Sequence, residues 1–499
     1  MIKMTRTENG LVRGIPAADP RIIAYKGVPF AAPPVGNLRW KAPQPATNWA
    51  GVRDCIEFAP ISMQNKPGEN KEDIYSREWN VDPEIPMSED CLYLNIWTPA
   101  ESENDRLPVF VWYFGGGLQV GNTAEMEFDG ERIARRGIVV VTINYRVNLF
   151  GFLTHPEIIK ESPEAPANFG NLDQQFGLMW TKRNIAAFGG DPDNITIGGQ
   201  SAGAGSVMTQ LTCPANKPYI QKAIIDSGMM LNLYPPFRPR LTLEEAAKQG
   251  EEFFEELGVK TLAEARAIPA EVLRDKNLQG RRFWGTVADG IFQTDIAINN
   301  ILKGELLDVP ILMGHTRDEF FARPRVESIE DLKALAKETF GDKADSFMAL
   351  IDTNDGLEKA LENASVSGIE YAIRVVCRKL NALGIKGPHY VYDFGPEIPG
   401  WDDPGSFHSS DLWFWFETLA KCWRPFVGKH YDLARQMCNY WANFIRSGDP
   451  NGNDADGTPM EKWEPFTDVN PVYMTFYEAP KSEVRPAKGI MKYLVDNHS

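Results

Sequence analysis

Gly199-Gln200-Ser201-Ala202-Gly203 constrains this chain more than any other stretch. The β-branched run Ile195-Thr196-Ile197 stops at two glycines, a serine follows, and small residues then open a helical pattern through Val207 and Leu211. This is the strand–turn–helix layout of a nucleophile elbow. The turn forces the serine into a strained backbone conformation, and the flanking glycines remove the Cβ atoms that would collide there. With 42 glycines in 499 residues, a chance G-x-S-x-G arises in on the order of one such chain in ten. The pentapeptide alone therefore decides little, and its placement between a strand and a helix carries the reading.

Other short apolar runs supply the sheet that such an elbow needs. Residues 11–13 and 22–28 read as N-terminal strands, and 92–97, 109–114, 138–143, 223–225, 309–314 and 390–394 as further ones. The run Ile138-Val139-Val140-Val141 has no polar alternation, which suits a parallel strand covered on both faces. Helical periodicity appears at 174–187, over most of 240–305, at 328–385 and at 433–445. Residues 65–87, polar and acidic with Pro and Gly, read as a long surface excursion. Strands alternating with helices imply a mostly parallel α/β sheet flanked by helices. The helical blocks read as insertions over its carboxyl edge, and residues 1–499 as a single domain.

Charge and cysteine usage narrow the function. With 52 Lys+Arg against 68 Asp+Glu the net charge is −16, which disfavours nucleic acid and anionic membranes as partners. No run approaches the ~20 apolar residues of a membrane helix. No apolar segment follows Met1-Ile2-Lys3-Met4-Thr5-Arg6, so a cytoplasmic protein is expected. The six cysteines contain no C-x-x-C pair and the six histidines no H-E-x-x-H spacing. Free thiols and no metal or organic cofactor are the expectation.

A serine on such an elbow works with an acid and a histidine that follow it in that order, and with N–H groups for an oxyanion. Of the later histidines, His498 is in the tail, His430 at a helix start, His389 at a strand start, and His315 leaves an acid little room ahead of it. His408 stands in a loop before the aromatic run 413–416; on position alone it reads equally as a base or as a plain loop histidine. The acid belongs after strand 309–314, where Asp318 and Glu319 both qualify, and either could instead be a helix N-terminal charge. Gly115-Gly116-Gly117 after a buried strand suits an oxyanion turn, whereas a nucleotide loop would need a glycine where Val120 stands.

Together these parts resemble a type-B carboxylesterase, the family that includes the cholinesterases. The likeness runs nearly end to end: Gly27-Val28-Pro29-Phe30, Ser88-Glu89-Asp90-Cys91-Leu92-Tyr93-Leu94-Asn95, Asn144-Tyr145-Arg146, Asn171-Leu172-Asp173-Gln174, Phe188-Gly189-Gly190-Asp191-Pro192 and Gly448-Asp449-Pro450-Asn451. The resemblance implies an α/β-hydrolase fold, Ser201, Glu319 and His408 as the triad, and the N–H groups of Gly116, Gly117 and Ala202 as the oxyanion hole. It chooses Glu319 over Asp318. Three positions depart from the family pattern. Phe114 stands where many members have His. Gln200 replaces the Glu that commonly precedes the nucleophile. Cys91 matches half of a family disulfide whose partner position falls near Ile61-Ser62-Met63, where no cysteine stands.

The expected function is hydrolysis of small neutral carboxylic esters through an acyl-enzyme, with a monomer favoured. Binding members of the family that have lost triad residues are the rival from another class, and this chain keeps all three. A lipase would call for a long apolar lid, which is not evident; amide or thioester cleavage would use the same triad. Gln200 and Trp79 are the expected substrate-pocket residues, Trp79 lying on the loop where cholinesterases hold a cationic alcohol. Trp79 reads equally as a surface-loop aromatic.

Overall fold

The computed structural model describes residues 1–499 apart from 80, 232, 235–240, 281, 386 and 499. Eleven strands form the main sheet: β1 (Ile15–Pro16), β2 (Ile23–Pro29), β3 (Tyr93–Thr98), β4 (Leu107–Tyr113), β5 (Val139–Ile143), β6 (Gly190–Gln200), β7 (Lys222–Asp226), β8 (Ile311–Thr316), β9 (His389–Phe394), β10 (Val472–Phe476) and β11 (Pro480–Val484). Their spatial order is β11-β10-β9-β8-β7-β6-β4-β5-β3-β2-β1. Neighbours are parallel from β10 to β5 and antiparallel at both edges.

Strand periodicity builds a core on each face. Along β4, Val109, Val111 and Tyr113 point into one apolar cluster with Leu178, Val207 and Val376, while Phe110 and Trp112 point into another with Tyr392, Trp441 and Phe444. The first cluster lies under α2 (Phe169–Asn184), α3 (Ala202–Leu211) and α5 (Gly368–Ala382), the second under α6 (Gly428–Ser447). A sheet covered on both faces leaves the loops at the carboxyl ends of its parallel strands as the place for chemistry. Among the described residues no helix is long and apolar enough to cross a membrane.

Several elements differ from the sequence reading. Residues 11–13 form a strand of a separate three-stranded sheet with Met4–Arg6 and Val52–Asp54. Helix α2 starts five residues before 174, because Asn168, at φ +61°, exchanges hydrogen bonds with the Val287 backbone and leaves Phe169 free to begin it. The block at 240–305 holds α4 (Leu243–Leu257) and three shorter helices, with positions 240 and 281 outside the described residues. Residues 282–296 are not helical: Asp289 accepts the N–H groups of Ile291, Phe292 and Gln293, which folds a turn there. The excursion at 65–87 is not all surface, since it contains α1 (Ile74–Glu78) and buries Glu78 and Trp79.

Candidate active site

Strand β6 ends at Gln200 and α3 begins at Ala202, so one residue makes the turn. That residue, Ser201, has φ +57° and ψ −124°, a region that side chains with a Cβ rarely enter. The surroundings hold it there. Its N–H donates to the Asp226 carbonyl at 2.9 Å, and its own carbonyl accepts from Gly205 N–H at 2.9 Å. A Cβ on Gly203 would lie 2.1 Å from the Tyr113 carbonyl oxygen, and one on Gly199 would lie 2.4 Å from that of Gly203. Only glycine fits at either position.

The loops after β8 and β9 reach over the same point. His408 Nε2 lies 2.8 Å from Ser201 Oγ, and His408 Nδ1 is bonded to Glu319 Oε2. The other Glu319 oxygen accepts Thr316 N–H at 2.8 Å, tying the acid back to the end of β8. Its neighbour Asp318 turns elsewhere. Asp318 Oδ2 accepts the Ser406 N–H at 2.8 Å, and Ser406 O accepts the Asp318 N–H at 3.1 Å, which latches the His408 loop to the Glu319 loop. The two adjacent acids that the sequence left open therefore make different contacts.

The turn after β4 presses against the elbow. A Cβ on Gly115 would meet the Gln200 carbonyl at 2.9 Å and the Ser201 Cβ at 3.2 Å. Gly116 and Gly117 have φ +99° and +65°, and the Gly116 carbonyl accepts from Gln119 and Val120 N–H groups. Among the described residues the N–H groups of Gly116 and Gly117 have no protein acceptor, and that of Ala202, first in its helix, has no intrahelical one. Phe114 stacks on Tyr145 with ring centroids 4.1 Å apart, away from any polar duty.

The walls are aromatic. Phe320 lies edge-on to the His408 ring, 4.4 Å between centroids, and remains 47% exposed. Tyr75 on α1 meets the same ring at 6.5 Å and stacks on Trp79 at 5.6 Å. Burial, then the charge of Glu319, pushes the Tyr75 phenol up to about 12. Trp79 itself is 5% exposed and packs on Phe407 and Trp413. It is thus not a surface aromatic, and on this loop it is Tyr75 whose ring meets that of His408. Gln200 is buried with its amide nitrogen 3.3 Å from His408 Nε2. Sequence reasoning passed over Tyr75 and Phe320. The available signals were the four-residue helical spacing from Trp79 to Tyr75 and the adjacency of Phe320 to Glu319.

Beneath the elbow, Asp226, Tyr392 and Asp411 form a buried row, the phenol lying 2.5 Å from one carboxylate and 3.0 Å from the other. The phenol has one proton to donate, so the second of these contacts calls for a proton on a carboxyl group. Burial, then the Glu319 charge, pushes Asp411 up to about 6; burial and Asp411 push Asp226 upward.

A model described as the carboxylesterase family matches residues 2–492. A fumonisin B1 esterase from Sphingopyxis macrogoltabida is 32% identical over 464 residues, covering 89% of this chain and 82% of that protein. A cholinesterase from Mus musculus is 30% identical over 520 residues, covering 94% and 82%. Among solved structures, one titled PNB esterase superposes with a TM-score of 0.79 at 27% identity, covering 99% of this chain and 100% of that one.

Proposed function

The chain belongs to the carboxylesterase family, has the α/β-hydrolase fold and is a hydrolase of carboxylic ester bonds, and on that premise we propose a two-step serine mechanism acting on small neutral esters. Ser201 Oγ attacks the ester carbonyl while His408 Nε2 takes its proton. Glu319, on Nδ1, holds the ring in the tautomer that leaves Nε2 free and steadies the imidazolium that forms. The tetrahedral oxygen sits against the N–H groups of Gly116, Gly117 and Ala202, which are fixed before substrate arrives. His408 then gives its proton to the leaving alkoxide, and water repeats the sequence on the acyl-enzyme. The observation that carries this reading is the 2.8 Å approach of His408 Nε2 to a serine held in a strained turn.

We assign the aromatic wall of Tyr75 and Phe320 to the ester's apolar part. Gln200, neutral and buried beside the base, adds no charge for a cationic alcohol. We read the whole chain as one domain, because a single family match spans it and both cores share one sheet. A cytoplasmic location is supported by six unpaired cysteines, five of them buried.

Ser201→Ala tests the reading. Turnover of an aryl acetate should fall by on the order of a millionfold with an unchanged far-UV spectrum, and the parent should release a burst of aryl alcohol equal to the enzyme present. Activity of the variant within tenfold of the parent would remove Ser201 from the mechanism.

A further inference from the structure

Arg424 lies outside every motif above, and its side chain is completely buried. A guanidinium has five N–H donors in a fixed fork, and here four of them donate to acceptors while the fifth lies on the side of the Glu78 carboxylate. Nε–H donates to Glu78 Oε1 at 2.9 Å, with one terminal nitrogen 2.7 Å from the same oxygen. The two terminal nitrogens reach Asp402 Oδ1 and Oδ2 at 2.9 and 3.0 Å, and one also reaches the Pro399 carbonyl at 3.0 Å. Glu78 is equally buried and also accepts from Trp423 Nε1 and Cys422 Sγ. Arg77 adds a bond to Asp402 Oδ2 at 2.9 Å. Two cations and two carboxylates thus close a neutral cluster.

The cluster joins segments far apart in the chain. Glu78 ends α1, whose Tyr75 faces His408. Asp402 and Pro399 belong to the loop that leads to His408, and the Arg424 guanidinium lies over the ring of Phe407, the residue before it, at 5.5 Å. The contact from Arg424 to Glu78 spans 346 residues. The 62–91 loop that carries α1 has no disulfide at its base, since Cys91 faces the Ser62 hydroxyl. What sets Tyr75 against the base is therefore this cluster and the aromatic stack behind it.

We propose that Arg424 is a positioning residue that sets selectivity for the alcohol half of the ester, by fixing the Tyr75 wall relative to His408. The proposal rests on the serine mechanism above. Removing the fork leaves Glu78 buried without its countercharge, and α1 tied to the His408 loop by the Arg77–Asp402 bond and the Trp79–Phe407 contact. The wall loosens, so a bulky aryl alcohol loses its contact while a small alcohol, which does not reach it, loses less. A residue that only kept the fold together would lower the fraction of active enzyme and scale all substrates alike.

The test is the ratio of kcat/KM for 2-naphthyl acetate to that for ethyl acetate, which is independent of active-enzyme concentration. Arg424→Met should lower the ratio at least tenfold, mostly through a higher KM for the naphthyl ester. Arg424→Lys, with three donors on a point charge, should stay within threefold of Arg424→Met. A ratio within twofold of the parent in Arg424→Met overturns the proposal, and so does restoration of the parent ratio by Arg424→Lys. If Arg424→Met does not fold, Asp402→Asn carries the test with an expected drop of at least threefold, and no drop there overturns it equally. Ser201→Ala run alongside separates the two claims: persistent hydrolysis of both esters sinks the serine mechanism, whereas an unchanged ratio in the Arg424 or Asp402 variant sinks only the positioning role.

Discussion

Ser201 and Tyr75 both face His408, but unlike forces hold them there. The serine is placed by backbone: a one-residue turn between β6 and α3, two glycines that nothing else can replace, and main-chain hydrogen bonds at each end. The tyrosine is placed by side chains: a five-residue helix pinned by a buried ion cluster and an aromatic stack. Backbone sterics are stiff and local, so the elbow admits little variation. Side-chain clusters can be rebuilt without disturbing the sheet, which leaves the wall free to change with the substrate.

After the loss of Ser201 itself, the largest expected effect divides the two adjacent acids behind the elbow. Glu319→Gln keeps the shape of the group on His408 Nδ1 but allows the wrong tautomer, and kcat should fall by on the order of a thousand- to ten-thousandfold. Asp318→Asn loses the charge on the Ser406 latch and an exposed pair with Arg317 and should cost less than tenfold. Steady-state kinetics on one aryl ester decide it; similar losses in both would mean that the latch, and not the charge beside the imidazole, matters.

Gly203→Ala comes next. The added Cβ would fall 2.1 Å from one backbone carbonyl and 2.6 Å from another, with no flexible side chain to move aside. Denaturant unfolding should show a loss of at least about 3 kcal/mol, and activity should fall with it. A variant as stable as the parent would show that the elbow relaxes more easily than its contacts imply.

The same contrast explains what the sequence made legible. Ser201, the glycine turn and the buried strands are written in consecutive residues, because their causes act over a few residues. The glycines announce the turn, and the β-branched runs announce strands covered on both faces. Tyr75 was not legible, although Trp79 four residues on drew attention, because what ties that helix to the His408 loop includes an arginine 346 positions away from its partner. The outer edge strand β11 was missed because Lys481 and Glu483 leave no apolar run to mark it. Its neighbour β10, Val472-Tyr473-Met474-Thr475-Phe476, does carry the buried β-rich run of a strand and was passed over. Asp289 was passed over inside a helical block, since one carboxylate accepting three N–H groups stops a helix without a proline.

A smaller effect separates steric from titratable support. Asp226 and Asp411 share the Tyr392 phenol under the elbow, and the Glu319 charge adds to the effect of burial on Asp411. Asp411 is raised from the ordinary value of 3.8 to about 6. Between those values the native state keeps a proton that the unfolded chain has released, so stability from this group is complete below about pH 4 and is lost as pH rises toward 6. The buried, neutral His389, lowered to about 4, acts with the opposite sign in the same window. The comparison is therefore made against Asp411→Asn. That variant should gain on the parent by up to about 1.4 kcal/mol per pH unit between pH 4 and 6, measured by thermal unfolding in matched buffers. A constant difference across the window would mean that the pair holds no shared proton.

The smallest expected effect concerns Gln200, where the backbone of the elbow meets the side-chain wall. Its backbone closes β6, while its amide sits 3.3 Å from His408 Nε2. If a cationic alcohol were held against the aromatic wall proposed above, a cation–π contact would contribute roughly 0.5–2 kcal/mol. The neutral amide adds no charge to that, and an uncharged aryl or butyl ester has no charge to desolvate. A neutral ester should then have the higher kcat/KM when compared with the choline ester of the same acid. Gln200→Glu puts a carboxylate beside the base and should move that ratio toward choline by about three- to thirtyfold, the equivalent of roughly 0.7–2 kcal/mol. The same carboxylate favours the imidazolium, so the acid limb of the pH–rate profile should move to higher pH. Both shifts are read from one set of kcat/KM profiles with the paired esters. A choline preference in the unmodified protein would detach selectivity from Gln200. A profile that moves while the ratio stays put would place the side chain's influence on the base alone, leaving the choice of alcohol to the wall.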